Sequence, residues 1–301
     1  MDPWIIGLVA VSAVLHLAWN VRLKTAGDPL RAATIGMLAA SVGIVPLGIA
    51  VWWVGGRVAL PTEGIALGVA SGVVEAAYFV LLSAAYRRGD LSVVYPVARG
   101  TAPLLAVAIG VGLLGERLGV AGSIGVIALL AGFLILQRPW RAIAVARSGA
   151  AGARQAAADS AILFALATGV TIATYSAIDR VGTRQIDVVV YAAILWATCS
   201  VVLVAWVAFV AGGDLLRYGP DAARRAAVGG WLTLGAYLCI LVALSMAPLS
   251  GVAPLRESAT VFAAAWGSVR MGEASDRSEA VRRIGASVLI VGGALLLAVG
   301  S

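Results

Sequence analysis

The chain has 301 residues, of which 61% are apolar and 12% are charged, and its formal net charge is +7. Together with a mean hydropathy of +0.98, this composition excludes a soluble globular domain and indicates a membrane protein that has the lipid bilayer as its solvent. The arginines stand in short clusters between apolar runs, as the loop charges of membrane proteins do, so the positive charge does not indicate a nucleic-acid partner.

Apolar segments follow one another along the whole chain. A helix needs about 20 residues to cross a hydrocarbon core of roughly 30 Å, and ten segments reach that length. They are residues 3–21, 31–53, 64–86, 92–115, 119–137, 160–178, 188–211, 225–246, 250–271 and 281–299. No basic region precedes the first segment and no small-residue cleavage site follows it, so we expect a retained helix rather than a signal peptide. The predicted fold class is an all-α polytopic membrane protein.

The chain also contains an internal repeat. Residues 91–116 read LSVVYPVARGTAPLLAVAIGVGLLGE, and residues 249–273 read LSGVAPLRESATVFAAAWGSVRMGE. Both segments begin with Leu-Ser, carry a proline and a charge at matching positions, and end in Gly-Glu. The matching pairs are Pro96 with Pro254, Arg99 with Glu257, and Glu116 with Glu273. We expect the two glutamates to lie at the surface or to anchor loops.

This repeat divides the chain into two related halves. Residues 1–137 are predicted to form one five-helix repeat, residues 138–159 a cytoplasmic linker, and residues 160–301 a second five-helix repeat. Because five is an odd number, the second repeat crosses the membrane in the opposite sense, and the repeats are inverted. Sixteen lysines and arginines lie in odd-numbered connections, against four in even-numbered ones. The positive-inside rule therefore places both termini outside the cytoplasm.

Four charged residues lie well inside apolar segments: Glu75, Arg99, Arg256 and Glu257. Each costs about 2.5–3.5 kcal/mol at the centre of a membrane helix, so such groups face a cavity or a partner. Two interpretations stay open, namely ion pairs between the halves and a cavity that binds the ammonium and carboxylate of a zwitterion. Arg256 and Glu257 point about 100° apart on a helix, and the sequence does not decide which one faces a cavity.

Aromatic and polar side chains accompany these charges at helical spacing. His16, Trp19 and Asn20 share one face of the first helix, Glu75 and Tyr78 one face of the third, and Tyr95 and Arg99 one face of the fourth; Tyr175 and Tyr237 add phenols. Such rings suit a cavity that accepts apolar groups and still forms hydrogen bonds, and packing between helices is the alternative. His16, the only histidine, is either a proton-coupling group or a packing residue.

The two repeated prolines, Pro96 and Pro254, each remove a helical hydrogen bond. They are predicted to be hinges beside a cavity, with a static kink as the alternative. No ligand cluster predicts a metal site, and no motif in a suitable context predicts a cofactor.

The two five-helix halves, each with a proline early in its fourth helix and Gly-Glu at that helix's end, resemble the drug/metabolite transporter superfamily, in its EamA-type ten-helix branch. Within that branch the chain is similar to bacterial amino-acid exporters of the YddG type. The resemblance implies a secondary transporter rather than an enzyme, which exports amino acids or similar small metabolites across the bacterial inner membrane by alternating access. It implies periplasmic termini and a cavity lined by the first, third, fourth, sixth, eighth and ninth helices, and it leaves a monomer as one option for assembly.

Several alternatives stay open. The substrate could be a nucleotide sugar, a lipid-linked sugar or a drug instead of an amino acid, and transport could be proton-coupled or facilitated. The small multidrug relatives carry a glutamate in their first helix, which this chain lacks apart from the terminal Asp2; this difference argues against a cationic-drug/proton antiporter of that type. An intramembrane enzyme that uses Glu75 and His16 is the alternative from another class.

Overall fold

The chain is helical throughout the residues that the computed structural model describes, which are 2–24, 26–89, 91–148, 153–211, 218–257 and 277–299. These ranges contain eleven helices and no strand, which confirms the predicted all-α fold class. The helices are α1 (Pro3–Lys24), α2 (Pro29–Val54), α3 (Thr62–Arg88), α4 (Leu91–Gly112), α5 (Val120–Gln137), α6 (Pro139–Arg147), α7 (Ala153–Gly182), α8 (Val188–Ala211), α9 (Pro220–Met246), α10 (Leu249–Glu257) and α11 (Arg277–Val299).

Eight of the described helices, α1–α5 and α7–α9, are long and apolar enough to cross a membrane. Helix α11 adds a shorter apolar segment, Gly285–Leu297. Most of the ninth predicted span lies outside the described residues, which include only its start as α10. The prediction of a polytopic membrane protein is therefore confirmed.

Aspartates begin two of the helices. The Asp28 carboxylate accepts the backbone N–H groups of Leu30 and Arg31, at 3.1 and 3.2 Å, before the start of α2. Asp187 accepts the N–H of Val189 at 2.8 Å before α8. Each carboxylate satisfies N–H groups that lack a partner within the helix and lies at the positive end of its dipole.

Helix α7 is longer at both ends than the predicted sixth span. It begins at Ala153, inside the predicted linker, which also contains α6. The Arg147 guanidinium of α6 contacts the Asp159 carboxylate of α7 at 2.8 Å. At its other end α7 continues to Gly182, so Asp179 and Arg180, which the sequence places in a connection, are helical. The Arg180 guanidinium donates to the Leu244 carbonyl at 2.8 Å, so it has a partner inside the protein.

The chain divides into two compact units. Unit 1 comprises Met1–Ala13, Ala84–Ala173 and Ala247–Ser301, and unit 2 comprises Val14–Ser83 and Thr174–Met246. Each unit therefore takes segments from both halves of the chain. Helices α1, α3 and α7 contribute residues to both units.

In unit 1, α5 packs along α11, and α4 contacts α5, α6 and α10. A core of Val126, Leu129, Ile290 and Leu297 lies between α5 and α11. A Cβ atom on Gly293 would lie 2.6 Å from the carbonyl oxygen of Gly125, so the absence of side chains at these positions allows the two backbones to approach closely.

The repeated Gly-Glu motif anchors a helix in unit 1. Gly115 has φ +65, a left-handed conformation that favours glycine. The Glu116 carboxylate accepts the N–H of Leu249 at 2.7 Å and the N–H of Ser250 at 2.9 Å. These two groups begin α10, so Glu116 supplies the anion that the start of this helix needs. Its counterpart Glu273 lies outside the described residues.

In unit 2, α2 packs against α8 and α9. A Cβ atom on Gly230 would overlap the carbonyl oxygen of Gly36, so α2 and α9 are in backbone contact. The hydroxyl groups of Ser41 and Ser200 are 2.8 Å apart and join α2 to α8. Small residues and a polar contact thus hold these helices together, as in other helix pairs in lipid.

Candidate functional site

Unit 2 contains a fully buried carboxylate, Asp179, on α7. Its Oδ1 atom accepts a hydrogen bond from the Ser71 hydroxyl at 2.5 Å and another from the Tyr191 hydroxyl at 2.8 Å. Its Oδ2 atom accepts a hydrogen bond from the Tyr237 hydroxyl. The three donors lie on α3, α8 and α9. Hydrogen bonds to a charged group are among the stronger ones, so these donors offset the cost of burying the carboxylate.

A series of rings, which we call the aromatic chain, leads to this carboxylate. Its members are His16, Trp19, Phe79, Tyr78, Tyr175, Tyr237 and Trp196 in order of contact. Neighbouring ring centroids are 4.9 to 6.2 Å apart, and most pairs meet edge to face. This is the preferred geometry for ring quadrupoles. Because the Tyr237 hydroxyl donates to Asp179, the aromatic chain and the carboxylate form one continuous cluster.

Glu75 belongs to the same face of α3. It follows Ser71 by four residues and precedes Tyr78 by three, so all three side chains lie along one side of the helix. Glu75 is 3% exposed. Among the described side chains of unit 2, no lysine or arginine is buried, whereas Glu75, Asp179 and His16 are. The interior of this unit thus carries two carboxyl groups and one imidazole.

The first helix contributes three of the predicted site residues. His16 and Trp19 are buried, and their ring centroids are 5.7 Å apart. The half-buried Asn20 donates its side-chain amide to the His16 carbonyl at 2.8 Å, so this donor is used within α1. The buried indole N–H of Trp19 has no hydrogen-bond acceptor within the part of the chain that the structure describes. Trp19 packs between the rings of His16 and Phe79 in the aromatic chain.

Unit 1 holds the remaining predicted residues. Arg99 is buried, and its guanidinium lies 5.6 Å from the centroid of the Tyr95 ring on the same face of α4. Arg256 is also buried, on α10. Glu257 follows Arg256 at the end of α10, and its side chain lies outside the described residues.

The two predicted hinge residues also belong to unit 1. Pro254 is buried within α10. The Pro96 side chain lies outside the described residues, although α4 is helical through this position.

The structure therefore places the predicted site residues in two groups. His16, Trp19, Asn20, Glu75, Tyr78, Tyr175 and Tyr237 belong to unit 2, and Tyr95, Arg99, Arg256 and Glu257 belong to unit 1. The sequence interpretation missed Asp179 and its partners because it ended the sixth span at residue 178. One signal was available: Tyr175 and Asp179 are four residues apart, which places a carboxylate on the same helix face as a predicted site residue. No group of three potential metal ligands occurs among the described residues.

Comparison with known proteins gives two findings. The model of a family described as "EamA-like transporter family" matches residues 2–138 and 159–299. A solved structure described only as "Crystal structure of protein" is 20% identical, covers 99% of this chain and 98% of its own chain, and superposes with a TM-score of 0.68. That likeness shows a shared fold. A search of curated proteins gave no match.

Proposed function

Because the chain belongs to the EamA-like transporter family, which is part of the drug/metabolite transporter superfamily, we propose that it exports amino acids from the cytoplasm. The family consists of membrane transporters of small substrates and not of enzymes. The intramembrane enzyme is therefore set aside, and the open question is which substrate the protein carries.

The observation that supports an amino acid is the cluster of unit 2, in which buried carboxyl groups lie beside the aromatic chain. A substrate ammonium is stabilised by a carboxylate and by the faces of tyrosine and tryptophan rings. An apolar side chain is stabilised by the same rings through burial. We assign binding of the substrate ammonium to Glu75. Binding of the substrate side chain is assigned to Trp19, Tyr78, Tyr175 and Tyr237. His16 and Asn20 of α1 complete this set of proposed binding residues.

In unit 1 the buried charges have the opposite sign. Arg99 and Arg256 are buried guanidinium groups, and a guanidinium binds carboxylates through parallel hydrogen bonds. Tyr95 lies beside Arg99 and holds part of its side chain in place. We assign carboxylate recognition to the two arginines, and we keep Glu257, which follows Arg256 in the sequence, as a further substrate-binding candidate.

Transport then follows from alternating access. The two five-helix repeats rock, and Pro96 and Pro254 act as hinges because each lies inside its helix with one backbone hydrogen bond removed. The protein lies in a bacterial inner membrane with both termini in the periplasm, since the arginine-rich connections stay in the cytoplasm.

The test is substrate flux into liposomes that carry the purified protein. A panel of radiolabelled neutral, aromatic and charged amino acids is supplied, with and without an imposed pH gradient. We expect saturable uptake in which amino acids compete. If uptake does not respond to the gradient, His16 is a packing residue rather than a proton carrier.

A matched pair of variants identifies the ammonium site. Glu75→Gln is expected to reduce uptake at least about tenfold, since one lost charge-assisted interaction is worth about 1.5–3 kcal/mol. Glu63→Gln changes an exposed acid on the same helix and should leave uptake unchanged. If no amino acid is taken up, nucleotide sugars and lipid-linked sugars are the next substrates to supply, and the assignment to amino acids is wrong.

A further inference from the structure

One end of unit 1 is strongly basic. Contacts between helix ends show which elements meet there: Arg88 of α3 lies 4.5 Å from the centroid of the Phe164 ring of α7, and Arg282 of α11 donates to the Ile135 carbonyl of α5 at 3.0 Å. Among the described side chains at this end, Asp159 is the one acid. The arginines here are Arg87, Arg88, Arg138, Arg141, Arg147 and Arg282. The positive-inside rule predicts that this end faces the cytoplasm.

Half of these arginines already have a partner in unit 1. Arg88, Arg147 and Arg282 contact an aromatic ring, a carboxylate and two helix carbonyls, respectively. The guanidinium groups of Arg138 and Arg141, in contrast, have no acidic or carbonyl partner within the part of the chain that the structure describes. Arg141 is exposed and Arg138 is partly exposed. Both groups are therefore available to an anion from outside the chain.

Arg138 and Arg141 leave the same turn, at the junction of α5 and α6. The N–H of Arg141 donates to the Arg138 carbonyl at 2.9 Å, so the two long side chains start close together and can reach one anion. Arg138 has φ +44, a left-handed conformation that glycine and asparagine adopt more easily than arginine. A long cation at a position that suits glycine indicates that its side chain has a use there.

The exposed face of α6 combines arginine with tryptophan. Helix α6 packs against α4. Trp140 is 53% exposed, and Ala144 and Arg147, which follow it by four and seven residues, are also exposed. Helix α6 directly follows α5, which is apolar and long enough to cross a membrane, so α6 starts where α5 leaves the hydrocarbon. The headgroup region of a bilayer accommodates both tryptophan rings and arginines, whereas water and hydrocarbon each suit only one of them.

We propose that the junction of α5 and α6 is a binding site for an anionic glycerophospholipid. The lipid phosphate binds Arg138 and Arg141, and the Trp140 ring lies between the headgroup and the acyl chains. A guanidinium forms parallel hydrogen bonds with phosphate oxygens. The site needs no apolar pocket, because the bilayer itself holds the acyl chains. This proposal concerns a lipid and not a transported substrate, so it stands whichever substrate the protein carries.

The test measures equilibrium binding of radiolabelled phosphatidylglycerol to the purified full chain in mixed detergent micelles. We expect saturable binding that unlabelled phosphatidylglycerol displaces at least about tenfold better than phosphatidylcholine, which has no net charge. The double variant R138N/R141Q should weaken binding about tenfold or more, because two cations beside the phosphate are lost. Asparagine is the replacement at position 138 because it tolerates the positive φ of the backbone.

The matched control also removes two exposed arginines, but from elsewhere in the chain. Arg117 and Arg184 are exposed and belong to connections that the positive-inside rule places outside the cytoplasm. The double variant R117Q/R184Q should bind phosphatidylglycerol with wild-type affinity. An equal loss of affinity in this control would show that the lipid responds only to total charge, and it would overturn the assignment to the α5–α6 junction.

A further variant keeps both arginines and removes the ring. Trp140→Ala should weaken phosphatidylglycerol binding severalfold, because the ring no longer packs against the glycerol and the upper acyl chains. Wild-type affinity in folded R138N/R141Q would overturn the proposal. If that variant does not fold, wild-type affinity in Trp140→Ala would overturn it instead.

A soluble phosphate offers the same anion without acyl chains. The binding measurement is therefore repeated with inorganic phosphate and with glycerol 3-phosphate as competitors, each at the concentration at which unlabelled phosphatidylglycerol displaces half of the label. We expect no displacement by either compound. Displacement equal to that by phosphatidylglycerol would show that the junction binds soluble anions, and it would overturn the assignment to a lipid.

Discussion

Asp179 joins α7 to three other helices of unit 2 through side-chain hydrogen bonds. It is fully buried, and its two oxygen atoms accept hydroxyl groups from three other helices. One of the donors, Tyr237, also lies within the aromatic chain, between Tyr175 and Trp196. We therefore interpret Asp179 as a positioning residue that orients Tyr237 and does not itself bind substrate.

Replacing Asp179 with asparagine tests this role. Asparagine has nearly the same shape as aspartate, but it is neutral. An NH₂ group replaces one carboxylate oxygen, and this group cannot accept a hydrogen bond from a hydroxyl. We expect unfolding to become easier by about 1–3 kcal/mol and the KM for uptake to rise, because the Tyr237 ring loses its anchor. Thermal unfolding in detergent and flux in liposomes measure the two effects separately.

The control for this variant is Tyr191→Phe, which removes one of the two donors to Oδ1 and leaves the bond of Tyr237 in place. It should lower stability by a smaller amount and leave KM unchanged. If Asp179→Asn also keeps the wild-type KM, then Asp179 only stabilises the fold, and the positioning role is wrong.

At the level of elements, the start of α10 depends on a carboxylate from elsewhere in the chain. Glu116 accepts the first two N–H groups of this helix, and Gly115 before it adopts a positive φ of +65. A Cβ atom on Gly110 would overlap a carboxylate oxygen of Glu116, so glycine at this position leaves room for the carboxylate. The Gly-Glu pair is thus a structural motif, in which glycine makes the turn and glutamate caps the helix.

Glu116→Ala should therefore destabilise unit 1. Loss of the Glu116 carboxylate leaves two backbone N–H groups of α10 without their acceptor. The loss of a helix cap lowers the free energy of unfolding by about 0.5–2 kcal/mol. We expect a lower thermal midpoint in detergent and the same substrate selectivity among the molecules that remain folded. Arg117→Ala changes the exposed adjacent residue and should have no effect. A midpoint equal to that of the wild type for Glu116→Ala would show that water replaces the carboxylate at this helix start.

For the whole molecule, the distribution of basic residues predicts the orientation in the membrane. The connection between α2 and α3 contains the exposed Val58, and the connection between α6 and α7 contains the exposed Ser148. The positive-inside rule places the first outside the cytoplasm and the second inside it. The two positions are therefore suitable reporters for opposite sides of the membrane.

Single-cysteine variants measure this orientation in spheroplasts. With Cys199 and Cys239 replaced by alanine, Val58→Cys should react with a membrane-impermeant maleimide, and Ser148→Cys should react only after the cells are lysed. The reverse pattern would place the termini in the cytoplasm.

The helical, membrane-spanning class and most helix positions can be predicted from the amino-acid sequence alone. In lipid, a segment must satisfy its own backbone hydrogen bonds, so helix formation is a local property that appears directly in the length and hydropathy of each apolar run. The repeat could also be read directly, because each half carries its own proline and Gly-Glu pair. The shared helix face of Glu75 and Tyr78 could be predicted for the same reason, because spacing along one helix determines which side chains lie on one side.

Which helix faces contact one another is visible only in the folded structure. Asp179 lies 108 residues from Ser71 and 58 from Tyr237 in the chain, and Glu116 lies 133 residues from Leu249. No local pattern encodes such pairs, because they depend on how helices pack and on which small residues, such as Gly36 and Gly230, allow close approach. A cavity of about 130 Å³ among α1, α2, α3 and α9 has the same origin, because packing brings side chains of four helices together around one space.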